Sequence, residues 1–274
     1  MIVLGFDTAT PATAVGLRLA DGTTLRAYDE PEADARPGHT TQSLALAREL
    51  LARAGLGWSD LGRIAVGVGP GTFTGLRVGV ATARGLAQSL GVEVVGVSSL
   101  EVLAQAALRE PGSPARVVLT AIDARRGESF AAAYDASGEL TSPRALPPED
   151  LAAISGELGG DREWLAVGDG ALRFRGYLEA IAVAVPVDTS PLHRVDAGVL
   201  CELALTAPAG DLEAVLPDYR RLPDAEIALE GGAAGLEAGE PGPSIFQSKG
   251  GAAGLEAGEP GPSIFHSEKM GSKK

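Results

Sequence analysis

Short apolar runs separated by turn residues open the chain and predict three strands. Two such runs cover residues 2–6 and 14–19, and a third covers 23–28. The dipeptide Asp21-Gly22 between the second and third runs is a strong signal for a two-residue hairpin turn. Three strands joined by tight turns are therefore expected at the start of the chain.

Apolar residues at helical spacing follow and alternate with further strand-like runs. The predicted helices cover 41–54 and 75–90, with a third starting at Ser98 or Ser99, and the predicted strands between them cover 64–68 and 92–97. Gly55 and Gly91 directly follow the first two helices, where glycine commonly ends a helix. Three strands followed by alternating helices and strands predict an α/β fold.

The pattern repeats after a Pro/Gly break at 111–114. The expected elements are strands at 116–122, 128–134 and 164–167, a turn at 135–138, and helices near 149–156 and 196–206. Both halves begin with a strand, an acidic turn and a strand. A duplicated α/β unit is therefore expected, with subdomains of the βββαβα type at 1–110 and 111–226.

The C-terminal stretch 227–274 differs from the rest of the chain. Residues 231–246 recur verbatim at 250–265, and all four lysines of the chain lie in this stretch. Two Gly/Pro-rich copies bury little apolar surface, so a disordered tail is expected. A docking arm in which each Ser-Ile-Phe acts as an apolar anchor is the alternative.

Composition and charge narrow the classes of function. A net charge of −13 argues against a free-standing nucleic-acid binder, although a partner subunit could supply positive charge. No apolar run approaches the roughly 20 residues of a transmembrane helix, and no basic leader precedes the first strand. The lone cysteine, Cys201, lies in an apolar helical run and is expected to be buried. These features favour a cytoplasmic protein with no membrane contact.

Two turns carry residues suited to a nucleotide. Asp7 and Thr8 follow the first strand, and Gly69, Gly71 and Thr72 lie in a Gly-rich loop before the helix at 75–90. Bare backbone and hydroxyl groups before a helix form a plausible phosphate cradle. In the alternative, the polar residues satisfy the turn backbone, and Gly75, Gly79, Ala83 and Ala87 form a ridge for close helix packing.

The second half carries similar but weaker signals. Asp123 repeats the arrangement of a strand followed by an aspartate and a turn, and residues 167–171 form a Gly-rich turn where an adenosine could lie. No metal cluster and no arrangement of Ser, His and Asp typical of a protease is recognisable.

The motifs and their order resemble the TsaB (YeaZ-like) family of bacterial tRNA threonylcarbamoyladenosine biosynthesis. The matching stretches are DTAT at 7–10, GVGPGTFTGLRVG at 67–79, GVSSLEVLA at 96–104, AIDARRGE at 121–128, VGDGA at 167–171 and PDYRRLPDAE at 217–226. The resemblance implies the actin/Hsp70/sugar-kinase-like (ASKHA) fold. It also implies a non-catalytic subunit that pairs with a TsaD-type catalytic subunit and a TsaE-type ATPase, touches tRNA only through that complex, and forms a homodimer when alone.

The resemblance also bears on chemistry. The catalytic relatives bind a metal through two histidines at HxxxH spacing, whereas here His39 is followed four residues later by Ser43. No metal site and no required cofactor are therefore expected, although weak contact with ATP or ADP stays open. A nucleotide-dependent kinase or transferase active by itself, using Asp7, the 69–74 loop and Asp123, is the alternative function.

In the family, the helices at 41–54 and 75–90 form the joint with the partner. The residues expected at this joint are Leu44, Ala47, Leu51, Leu76, Val80, Ala83 and Ala87. The alternative is that both helices use all of their apolar surface inside the protein itself.

Overall fold

The first five strands form one mixed sheet in the structure, a computed structural model that describes residues 1–32, 35–111, 116–159, 162–208 and 210–220. The strands are β1 (Val3–Asp7), β2 (Thr13–Arg18), β3 (Thr24–Asp29), β4 (Arg63–Gly69) and β5 (Glu93–Ser98), in the order β3-β2-β1-β4-β5. β2 runs antiparallel to both β1 and β3, whereas β4 is parallel to β1 and β5. The strands predicted for the first half are confirmed.

A second sheet repeats this arrangement. Its strands are β6 (Arg116–Arg125), β7 (Glu128–Asp135), β8 (Gly138–Leu146) and β9 (Glu163–Val167), in the order β8-β7-β6-β9. Two antiparallel pairs and one parallel pair match the first four strands of the other sheet. Strand β8 was not predicted, because it is a sheet edge whose residues are mostly half-buried and lack clear apolar alternation.

Seven α-helices connect and cover the sheets in the described residues. They are α1 (His39–Ala54), α2 (Phe73–Leu90), α3 (Ser99–Leu108), α4 (Pro148–Leu158), α5 (Asp169–Arg173), α6 (Arg175–Ala180) and α7 (Ala197–Thr206). The sequence missed α5 and α6, which are too short for helical periodicity to show. Among the helices of the described part of the chain, no long apolar segment suited to crossing a membrane is found.

Three apolar clusters order the elements into layers. One joins α1 and α2 to a face of the first sheet through residues such as Leu4, Leu50 and Val80. A second, containing α3 and α7, lies between the two sheets. The third places α4, α5 and α6 on the outer face of the second sheet. Two sheets that share the order of four strands, each covered by helices on both faces, confirm the predicted ASKHA-like fold.

The end of the described chain returns to the first sheet. Helix α7 packs on β1 and β2, and Val215 joins the cluster beneath α2. The amide of Asp218 donates to the carbonyl oxygen of Val68 at 2.8 Å. The second half by chain order therefore contributes structure to the first sheet. The predicted tail, with its repeat and its alternative as a docking arm, lies outside the described residues.

Arg63 ties α7 to the first sheet. The residue is 9% exposed, and one Nη donates to the carbonyl oxygens of Ala204 and Ala207 at 2.6 and 3.2 Å. The other end of the guanidinium pairs with Glu93 on β5. A cation at a helix C-terminus satisfies carbonyl groups that have no partner in the helix. This contact holds the layer between the two sheets.

Arg63→Leu is expected to lower the free energy of unfolding by about 2–4 kcal/mol, because buried carbonyl groups lose their donor. Urea unfolding followed by circular dichroism measures the change. Arg109→Leu is the matched control, since the exposed pair of Arg109 with Glu202 contributes about 1 kcal/mol or less. Equal losses in the two variants would contradict the assigned role of Arg63.

Candidate functional site

The turn after β1 is inserted against the beginning of α2. The Thr8 hydroxyl donates to the Gly75 carbonyl oxygen at 2.7 Å, and the Thr72 amide donates to the Ala9 carbonyl oxygen at 2.7 Å. A Cβ at position 75 would lie 2.0 Å from the Thr8 carbonyl oxygen, and one at position 71 would lie 2.3 Å from that of Ala9. The glycines of the loop are therefore required for close packing of the two backbones.

Asp7 lies buried at the base of this turn, with 1% of its surface exposed. Its carboxylate accepts a hydrogen bond from the Ser99 hydroxyl at 2.6 Å and one from the Ala9 amide at 2.9 Å. Burial raises the pKa of Asp7 to about 6, and the two hydrogen bonds lower it in part. A Cβ at position 67 would lie 1.8 Å from the carboxylate, so Gly67 makes room for it.

Five of the six residues predicted to contact a nucleotide lie together around this turn: Asp7, Thr8, Gly69, Gly71 and Thr72. The carbonyl oxygen of Ala9 packs against Gly71 and already accepts the hydrogen bond of the Thr72 amide. An oxygen acceptor at that point disfavours an anion. The geometry supports the packing role of the loop, and contact with ATP or ADP stays a prediction.

Asp123, the sixth predicted residue, forms its side-chain hydrogen bonds with residues of the second half. Its carboxylate accepts from Arg173 at 2.7 and 2.8 Å and from the Arg125 amide at 2.8 Å. The Asp123 amide donates to Asp169 at 3.0 Å. Burial raises the pKa of Asp169 to about 6. Arginine therefore already neutralises the carboxylate that the kinase alternative would use.

His39 begins α1 and is buried. Its Nδ1 lies 2.8 Å from the Thr13 hydroxyl, and the Ser43 hydroxyl donates to the His39 carbonyl oxygen. Burial lowers the pKa of His39, with a smaller opposing effect from Asp29. Within the described ranges, no group of three or more His, Cys, Asp or Glu residues is arranged to hold a metal ion. His39 thus acts as a hydrogen-bonding residue of the fold.

Most residues of the predicted partner surface are buried within the described chain. Leu44 is 42% exposed, but the other six residues are buried at 4% exposure or less. Those six are Ala47, Leu51, Leu76, Val80, Ala83 and Ala87. They face the protein's own sheet and the β1–β2 turn, because the one apolar stripe on each helix packs against that sheet. Their burial favours the alternative, in which both helices use this apolar surface inside the protein, and partner contact by these residues stays a prediction.

The sides of α1 and α2 that point away from the sheet carry different residues. We call this surface the outer helix face and define it by Leu44, Arg48, Ala81, Arg84 and Gly85. Leu44, Arg48, Ala81 and Gly85 are exposed, and Arg84 is half-buried. A Cβ at position 85 would meet no atom within 4 Å. Glycine inside a helix lowers its stability by about 1 kcal/mol relative to alanine, and no contact within the described chain requires it here.

A groove of about 490 Å³ lies along α2 beside this face. The Arg77 guanidinium lies 3.7 Å from the centre of the Phe73 ring, and its Nε donates to the Tyr219 hydroxyl at 2.9 Å. The groove is lined by residues that include Arg77, Ala81, Arg84, Gly85, Pro217 and Tyr219. Sequence reasoning missed this cluster. The available signal was the presence of two arginines and no acidic residue in α2.

Comparison with known proteins decides the family. A family model described as TsaD, tRNA N6-adenosine threonylcarbamoyltransferase, matches residues 31–176, slightly more than half of the chain. The chain is 38% identical over 176 residues to the tRNA threonylcarbamoyladenosine biosynthesis protein TsaB of Escherichia coli (strain K12). The aligned region covers 62% of this chain and 72% of that protein. The chain belongs to the TsaB (YeaZ-like) family. The family predicted from the motifs is confirmed.

Further TsaB relatives match over nearly their whole length. The TsaB protein of Bacillus subtilis (strain 168) is 28% identical over 231 residues, covering 82% of this chain and 96% of that protein. The structure of YeaZ from Pseudomonas aeruginosa superposes with a TM-score of 0.66 at 32% identity, covering 80% of this chain and 99% of that one. The TsaB fold accounts for the described body of this chain.

Asp7→Asn is expected to raise the free energy of unfolding at pH 7.5 by about 1–2 kcal/mol. The folded-state pKa of Asp7, about 6, lies above the ordinary value of 3.8. The stability that protonated Asp7 contributes is therefore fully present below pH 3.8 and is lost as the pH rises through about 6. Asparagine is not ionised and avoids this loss, while one weakened hydrogen bond offsets part of the gain.

Urea unfolding of both proteins between pH 4 and pH 8 measures this difference. The gain should shrink toward pH 4, where Asp7 is protonated in the folded protein. Asp123→Asn is the control, and it should gain nothing at pH 7.5, because Asp123 is paired with Arg173. A less stable Asp7→Asn variant at pH 7.5 would show that the charged carboxylate is favourable in place.

Proposed function

We propose that this TsaB-family chain is a non-catalytic subunit in the biosynthesis of threonylcarbamoyladenosine on tRNA. Its partner is a TsaD-type catalytic subunit, and a TsaE-type ATPase completes the assembly. The complex modifies the adenosine next to the anticodon of ANN-decoding tRNAs in the cytoplasm. This chain contacts tRNA only within that complex. Family membership supports the pathway, and the geometry of the β1–β2 turn supports the non-catalytic role.

The state of the candidate catalytic groups carries the non-catalytic assignment. Asp7 is buried and hydrogen-bonded to Ser99, the Gly-rich loop is packed against Ala9, and Asp123 is bound by Arg173. A general base or metal ligand must reach its substrate or ion. Asp7 is closed off from solvent, and Asp123, although half-buried, is already occupied by an arginine.

The outer helix face is the proposed contact with the TsaD-type subunit. Leu44 offers exposed apolar surface, and Ala81 and Gly85 lie one turn apart on α2 with open space above them. Small residues at this spacing let a second helix approach closely. Burial of this face would hold α1 and α2 against the partner, while the β1–β2 turn fixes α2 from below. A second copy of this chain is the alternative occupant.

Ala81→Arg is expected to lower the affinity for the TsaD-type subunit at least about tenfold, because the long side chain blocks close helix approach. Isothermal titration calorimetry with the subunit encoded in the same genome measures the affinity. Because Ala81 is exposed, the free energy of unfolding should change by about 0.5 kcal/mol or less. Arginine at buried Ala83 or Leu51 would instead disrupt the monomer.

Ala153→Arg on α4 is the matched control, since Ala153 is also an exposed helical alanine but covers the second sheet. It should bind the subunit like the wild type. Unchanged affinity of Ala81→Arg would exclude this face as the contact. ATP turnover by the isolated chain that is lost in Asp7→Ala would contradict the non-catalytic role.

A further inference from the structure

The outer helices differ in charge from the rest of the chain. Together, α1 and α2 contain Arg48, Arg53, Arg77 and Arg84 but only one acidic residue, Glu49. The whole chain carries a net charge of −13. The helices proposed to meet a partner therefore form a basic surface on an acidic protein.

Three of these arginines form no ion pair with a described residue. Within the described residues, Arg48, Arg77 and Arg84 have no carboxylate within 4.0 Å, whereas Arg53 pairs with Glu49. Most other described arginines are paired, as Arg109 is with Glu202 and Arg173 is with Asp123. The charges of Arg48, Arg77 and Arg84 are therefore available to a group outside the described part of the chain.

Arg77 and Arg84 are placed to receive two anionic groups. They lie seven residues apart on α2, which corresponds to about two turns and roughly 10 Å along one side of the helix. Contacts with Phe73 and Tyr219 fix the Arg77 guanidinium before any partner arrives. The groove between the arginines has a floor that includes Val80, Ala81 and Gly85.

We propose that this groove and Arg48 bind an acidic surface of the TsaD-type subunit, with partner carboxylates paired to Arg77 and Arg84. This inference rests on the proposed function and adds the chemistry of recognition. A protein surface fits better than RNA, because the lining of the groove includes the apolar residues Val80, Ala81 and Pro217, which a protein surface can cover. Arginine is also the residue best suited to bidentate pairing with carboxylates.

The same charges oppose pairing of two copies through this face. A two-fold interface presents the same surface from both copies, so two basic patches would face each other. Like charges disfavour the wrong partner, and opposite charges favour the right one. The two associations should therefore respond to salt in opposite directions, since added salt screens attraction in one and repulsion in the other.

The test uses the double variant Arg48→Glu/Arg84→Glu, which leaves the Arg77 contacts intact. Calorimetry with the TsaD-type subunit should show affinity at least about tenfold lower at low salt. For the wild type, that affinity should fall between about 50 mM and about 500 mM salt. Sedimentation of the wild type alone should show self-association through this face that is weak and strengthens with salt.

Arg109→Glu/Arg162→Glu is the control, because it changes the net charge by the same amount on other surfaces. There, Arg109 pairs with Glu202 and Arg162 pairs with Asp135. It should bind like the wild type. Binding by the wild type with no loss in Arg48→Glu/Arg84→Glu would overturn this inference and leave the proposed function standing. No binding by the wild type at any salt would overturn both. Binding of unmodified tRNA by the isolated chain, lost in the same variant, would assign the groove to RNA instead.

Discussion

The contact on which the rest of the structure depends is the insertion of the β1–β2 turn against α2. The Thr8 hydroxyl binds the Gly75 carbonyl, and the Ala9 carbonyl receives the Thr72 amide. Both hydrogen bonds are possible only because positions 71 and 75 lack side chains. This contact fixes which side of α2 faces the sheet, and so it also fixes which side is left for a partner.

The order of elements could be predicted from the sequence because strands and helices here have distinct apolar periods. The start of α3 was also predictable, since the Ser98 hydroxyl accepts a hydrogen bond from the Glu101 amide, as an N-cap residue does. The elements that escaped prediction lack such a period. Strand β8 is a half-buried edge, and α5 has only five residues.

The helical pattern could not assign a partner surface, for a more general reason. A helical stripe shows that a face of Leu and Ala is buried, but it does not show what buries it. Leu51 and Ala83 are covered by the protein's own sheet. The residues that do face outward, such as Ala81 and Gly85, look unremarkable in a hydrophobicity pattern. The groove was also invisible, because Tyr219 and Arg77 are 142 positions apart in the chain.

On the proposed assembly, affinity and selectivity come from different residues of the outer helix face. Leu44 and the small residues of α2 supply apolar burial and close approach, which stabilise any complementary helix. The arginines must lose water on binding, so they contribute little net energy unless each meets a carboxylate. Because Arg77 is already held by Phe73 and Tyr219, less side-chain entropy is lost when it pairs. A partner without carboxylates opposite these positions would therefore leave Arg77 and Arg84 desolvated and unpaired, so selectivity depends on where the carboxylates of the partner lie.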